Sequence, residues 1–148
     1  MNELIKKMQE MPNLLHTITV SISTIQECEN KLGLKFSLEY IEYLQKLGKY
    51  DAGGDEFTGI YFSKYKNKVI ESVVKETLDE RAIANEYGYT IPDDFYLIHN
   101  LGIGGILIWQ NTKGEIYQTI RGLSSAESPK KIYDSMHDYF INEIYRQK

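Results

Sequence analysis

A chain of 148 residues, 42% hydrophobic and 26% charged, has the size and apolar content of one domain built around a single core. Its net charge of −4 and pI near 5.4 argue against general nucleic-acid binding, which needs a basic face to displace counterions from phosphates, and make a basic protein the more natural partner. A lone Cys28 excludes intramolecular disulfides and Cys-based zinc sites, and no apolar run approaches the ~18 residues of a membrane span.

The segment Asn2 to Met11 carries Leu4, Ile5, Met8 and Met11 at helical spacing, and Pro12 ends it. Its Gln and Glu residues interrupt the apolar stretch that a signal peptide would need, so a cytoplasmic location is expected. Thr17 to Ser21 alternates polar with β-branched residues, a pattern shared by an extended strand and a linker. Ser23 or Thr24 is then placed to cap a helix with Ile25, Cys28 and Leu32 on one face, and Gly33 stops it in the left-handed conformation that glycine adopts at low cost. Ser37 caps a second helix with Leu38, Ile41, Leu44 and Leu47 in register, broken by Gly48, so the pair forms an αα-hairpin.

After the loop Asp51-Ala-Gly-Gly-Asp-Glu56 the character changes to strand at Phe57 to Phe62 and Val69-Ile70. Ser72 to Tyr87 returns to helix, closed by Gly88. Phe95 to His99, Ile106 to Gln110 and Glu115 to Ile120 read as three antiparallel strands of a β-meander, joined by glycine-containing turns. Ser128-Pro129 supplies an N-cap and a first-turn proline for a last helix carrying Ile132, Met136, Phe140 and Ile144. The predicted architecture is a single α+β domain over 1–148: a central antiparallel or mixed sheet with a meander, flanked by N-terminal helices, a middle helix and a C-terminal helix.

The order of these pieces carries a family resemblance. A helix ending Leu32-Gly33, a turn and a second helix, the Gly53-Gly54 loop, Gly59-Ile60, Thr77-x-x-x-Arg81, Ile91-Pro92-x-Asp94, the glycine-rich meander and Gly114-Glu-Ile-Tyr117 follow one plan. The chain resembles the SUKH superfamily over residues 23–148, with 1–22 as an N-terminal helix and linker. One departure is Phe36-Ser37, where the family usually has Leu-Pro; Ser can cap the same helix. The resemblance implies a non-enzymatic, cofactor-free binding module. Many bacterial members are immunity proteins that bind and block polymorphic toxins, often nucleases, while a smaller set has signalling or scaffolding roles.

The chemistry-bearing residues form no catalytic constellation. His16, His99 and His137 are far apart and lack ligand spacing, Cys28 lies on an apolar helix face where its thiol would be inert, and Gly102-Ile-Gly104-Gly105 runs into a strand rather than a phosphate-binding helix. Asp51, Asp55 and Glu56 flank two glycines but lack EF-hand spacing, so no metal site is expected. As a mobile acidic loop they suit the basic surface of a toxin, probed also by Tyr61, Glu115 and Tyr117 as exposed contact residues. Trp109, inside Ile106 to Trp109, reads as core, and Arg81 as a structural ion-pair partner for a residue such as Asp94. The expected partner is thus a cognate toxin, a basic nuclease domain, with no direct contact to nucleic acid or membrane; the competing expectation is a regulatory scaffold.

Overall fold

A computed structural model describes residues 3–15, 17–121 and 129–145 of the chain. Three helices open it: α1 (Glu3–Gln9), α2 (Ile22–Leu32) and α3 (Leu38–Leu47). Thr17 to Ser21 forms no strand; it is the linker, tied by the Ile18 N–H to the Leu47 carbonyl at 3.1 Å. The α2 cap is Ser21, two residues ahead of the predicted pair, with its Oγ accepting from the Thr24 N–H at 3.3 Å. Gly33 closes α2 at φ 68° with its N–H on the Glu29 carbonyl, and Ser37 caps α3 through the Tyr40 N–H at 3.0 Å, both as the pattern predicts.

The acidic loop is a tight hairpin rather than an open loop. Strands β1 (Asp51–Ala52) and β2 (Asp55–Glu56) pair antiparallel around Gly53 and Gly54, whose φ values of 60° and 90° are those a two-residue hairpin turn requires. Strands β3 (Ile60–Ser63) and β4 (Lys68–Glu71) form a second hairpin, and α4 (Ser72–Glu86) follows. Strands β5 (Tyr96–Asn100), β6 (Ile106–Gln110) and β7 (Ile116–Ile120) build the meander, with Leu97 opposite Trp109 and Trp109 opposite Tyr117.

Pro129 leads not into a helix but into a fourth strand, β8 (Lys130–Tyr133), which pairs with β7 at Tyr117 and Lys131. The helix α5 (Met136–Glu143) begins seven residues later than predicted, capped by Ser135; Ser128, the predicted cap, lies outside the described residues. Ile132, Met136 and Phe140 do point inward as their spacing suggests, but the first does so from a strand, because a period of four fits both a helix face and every second strand residue.

The four-stranded sheet has two buried faces. Tyr96, Ile98, Ile108 and Ile116 meet α1, α2, α3 and α5 in the main core, while Leu97, Leu107 and Trp109 pack with Ala84, Ile91 and Phe95 beneath the end of α4. All strand pairs among the described residues are antiparallel, so the fold is α+β in a single domain. Trp109 is fully buried, with its ring nitrogen donating to Thr119 Oγ1 at 2.8 Å, so it is core and not an interface anchor. No helix among the described residues is long and apolar enough to cross a membrane.

Three polar groups stitch the layers. Thr58 takes its N–H to the Ile98 carbonyl and its hydroxyl to the Leu97 carbonyl, fixing the chain between α3 and β5. Thr77 accepts the Leu97 N–H on Oγ1 at 3.0 Å. Arg81 makes no ion pair with Asp94; its guanidinium donates to the carbonyls of Leu32 and Asp93, joining α4 to the α2–α3 turn and to the approach to β5. Carbonyl pairs at 3.1 and 3.2 Å suit the planar guanidinium fork as well as a carboxylate would.

Candidate functional site

Cys28 is inaccessible, and burial, with Glu71 nearby, pushes its thiol up to about 12. Thiol-specific reagents are therefore expected to label the protein only after denaturation; rapid stoichiometric labelling of the native protein would show that α2 opens. His99 is also a core residue. It stacks on Phe57 with ring centroids 4.6 Å apart, its Nδ1 lies 2.7 Å from the Tyr139 hydroxyl, and desolvation lowers its pKa to about 4, so the ring is neutral at pH 7. His16 lies outside the described residues. No group of three or more His, Cys, Asp and Glu side chains able to hold a metal ion occurs among the described residues.

The fold gathers four of the candidate contact residues and leaves two apart. Asp51, Asp55 and Glu56 sit on the β1–β2 hairpin and Tyr61 on β3. Asp51, Glu56 and Tyr61 converge on Lys49, a residue without a role in the sequence pattern, whereas Asp55 lies 3.8 Å from the Nε2 of the buried His99. Only 8% exposed, Lys49 donates to Glu56 through a short hydrogen bond, lies 4.0 Å from Asp51, and sets its Nζ over the Tyr61 ring, 4.1 Å from the centroid. Glu76 on α4 joins the group, since Glu56 and Lys49 both act on its carboxyl.

One ammonium therefore serves several carboxylates. Burial and then Glu56 raise the pKa of Asp51 despite the attraction of Lys49. Burial alone raises Asp55, and burial followed by Glu56 raises Glu76. The hairpin thus carries excess negative charge, with Lys49 paired to Asp51 and Glu56 and its ammonium set over the Tyr61 ring.

Glu115 and Tyr117 belong to a different environment. Glu115 accepts from Asn111 Nδ2 at 2.9 Å and pairs with Lys131 at 3.1 Å, and these contacts lower its pKa. Tyr117 is half-buried against Phe95, with centroids 4.8 Å apart, beside the second core cluster. The charge of Glu115 is answered within the fold, and the Tyr117 ring is largely spent on packing.

Lys49 and Glu76 were missed for a physical reason. Lys49 follows directly on Gly48 and reads as a helix-end cation, and Glu76 reads as one charge on a helix surface. Only the return of the chain at β1–β2 brings them together. A second unremarked feature, the run Lys64-Tyr-Lys-Asn-Lys68, was legible in the sequence as a basic tract but forms a hairpin tip only once β3 and β4 pair.

Comparison with curated proteins finds no match. A family model described as SMI1-KNR4 cell-wall matches residues 22–140, from the first residue of α2 into α5. That span includes the αα-hairpin, both short hairpins, α4 and the whole meander, so this chain belongs to the SMI1-KNR4 cell-wall family of the SUKH superfamily.

Proposed function

We propose that this protein is an immunity protein that acts in the cytoplasm, binding a cognate toxin domain, a nuclease, and blocking it by covering its substrate groove. The observation that carries the reading is the pairing of Asp51 and Glu56 with the buried Lys49, within electrostatic reach of Glu76. Like charges held together at a partly desolvated surface cost stability in the free protein. A cationic partner offsets that cost, and the groove of a nucleic-acid-cleaving toxin is lined with the lysines and arginines that would do so. Charge complementarity of this kind speeds encounter and shields the groove from its substrate.

Charge reversal of Glu56 would set a second ammonium against Lys49, so neutralisation is the cleaner test. Glu56→Gln combined with Glu76→Gln leaves Lys49 its Asp51 partner. Stopped-flow mixing with the cognate toxin domain, sought first in the product of the adjacent gene, is expected to give association about tenfold slower at low salt, with a shallower salt dependence. Thermal stability of the free double variant is expected to stay within about 1 kcal/mol of wild type, because relief of the carboxylate repulsion offsets the weakened Lys49–Glu56 pairing. Association unchanged by the pair would remove the acidic hairpin from the interface.

The cell-wall description of the family favours a second reading, a scaffold that recognises a protein of an envelope or signalling pathway. Affinity capture from the native cell extract separates the two: stoichiometric retention of a toxic domain silenced in the complex supports immunity, whereas retention of envelope-pathway proteins alone supports the scaffold.

A further inference from the structure

The β3–β4 hairpin presents what an acidic protein has least reason to build, a projecting basic tip. Lys64, Lys66 and Lys68 fall within five residues, all exposed, and none of their ammonium groups has an ion-pair partner among the described residues. Tyr65 between them is 97% exposed, and behind it the cross-strand pair Phe62 and Val69 is 45% and 52% exposed. None of the three belongs to either core cluster.

The hairpin is nonetheless preset in shape. Ser63 Oγ accepts the Lys66 N–H at 3.1 Å, Asn67 turns the chain at φ 50°, and the Ile60 N–H anchors the base to the Gly48 carbonyl at 2.8 Å. A preformed tip loses little conformational freedom on docking. Its base adjoins the acidic hairpin, for Tyr61, the neighbour of Phe62, carries over its ring the Lys49 ammonium that pairs with Glu56. The surface is therefore cationic at the tip and anionic beside the base.

The inverse pattern is a pocket of carboxylates that holds divalent cations, set in a cationic groove, which is the electrostatic layout of a metal-dependent nuclease centre. Resting on the immunity reading above, we propose that the β3–β4 hairpin is a plug. Tyr65 and the ammonium groups of Lys64, Lys66 and Lys68 enter the metal-binding carboxylate pocket of the toxin and supply positive charge in place of its cation. Asp51, Glu56 and Glu76 meet the surrounding groove. An extended polyanion fits less well, since it would have to cross those carboxylates, and the chain carries a net charge of −4.

The test is calorimetry with the same cognate toxin domain, in chelator and in excess Mn²⁺ at matched ionic strength. The wild-type protein is expected to bind about tenfold more weakly in Mn²⁺, because metal and plug compete for the same carboxylates. Lys64→Glu, Lys66→Glu and Lys68→Glu together are expected to weaken binding about 100-fold and abolish the metal effect, and Tyr65→Ala alone to weaken it about tenfold. All these changes lie on an exposed tip, so melting temperatures should match wild type. If the wild-type protein binds the toxin with no metal effect and the tip variants bind equally well, the plug is refuted while the immunity reading stands. If the wild-type protein does not bind the toxin, both fail. Tip-dependent binding to phosphatidylserine vesicles or to a single-stranded RNA, with toxin affinity unaffected, would also overturn the plug.

Discussion

Replacing Gly59 by alanine is expected to destabilise the protein by about 3 kcal/mol or more, the upper range for overpacking a site that cannot relax. A Cβ at this position would lie 2.1 Å from the Gly48 carbonyl oxygen and 3.0 Å from the Lys49 Cα, all backbone. The oxygen cannot retreat without loss, because it accepts the Ile60 N–H at 2.8 Å. Gly59 is held on its other side too: its N–H donates to Ser72 Oγ at 2.9 Å, and the Ser72 hydroxyl donates back to its carbonyl at 3.1 Å. The crossing of the α3 end with the β3 start is thus a backbone-on-backbone contact that only glycine permits, which gives the Gly59-Ile60 motif its physical content.

Urea unfolding of Gly59→Ala beside Gly53→Ala makes the comparison sharp. Gly53 has φ 60° but open space around its Cα, so alanine there should cost only about 1 kcal/mol of backbone strain. Equal midpoints for Gly59→Ala and wild type would mean that the two segments do not cross as closely as described. Because Lys49 lies in this crossing, Gly59→Ala should also disturb the acidic hairpin more than its distance along the chain suggests.

The second large effect is expected at Glu39, a carboxylate with a structural task. From the first turn of α3 it accepts the Met136 N–H at 2.7 Å and the His137 N–H at 3.0 Å, capping α5, and it also accepts from Gln110 Nε2 at 2.8 Å. Ser135 satisfies only the Asp138 N–H, so Glu39 is what answers the first two donors of that helix. Gln110 passes the link on, accepting from the Tyr96 hydroxyl at 2.9 Å and from Ser37 Oγ at 3.2 Å.

Glu39→Ala leaves two helix N–H groups without their acceptor and removes the charge that favours a helix N-terminus. A loss of about 2–4 kcal/mol is expected. Glu39→Gln keeps the shape and one acceptor oxygen but loses the charge, and should cost roughly half as much. Denaturant unfolding gives the sizes, and hydrogen exchange gives the location, since the Met136 and His137 amides should lose protection first. Uniform loss of protection across the domain, with α5 no worse than the rest, would contradict the capping role.

Much of the fold was legible because local rules and tertiary packing agree. Gly33 and Ser37 mark the ends of α2 and α3 by backbone conformation and side-chain capping alone. The strands of the meander carry continuous or alternating apolar residues between glycine turns, and they form within a residue of their predicted bounds. The burial of Cys28 and Trp109 likewise follows from the apolar neighbours on their own elements.

The start of the last helix was misplaced because β8 exists only through pairing with β7, and Lys-Lys-Ile-Tyr has no strong strand pattern of its own. Arg81 was expected to find a carboxylate because side-chain reasoning counts charges, whereas the α2–α3 turn and the approach to β5 bring it carbonyls. The candidate site divides in the same way. Local order along the chain sets which residue types are on offer: the carboxylates at 51, 55 and 56, the aromatic at 61 and the lysines from 64 to 68. Which of those charges remain available depends on the folded chain, because pairing follows through-space distance. Lys49 and Glu76 crowd the first hairpin, Lys131 answers Glu115, and the tip lysines of the second hairpin are left facing solvent.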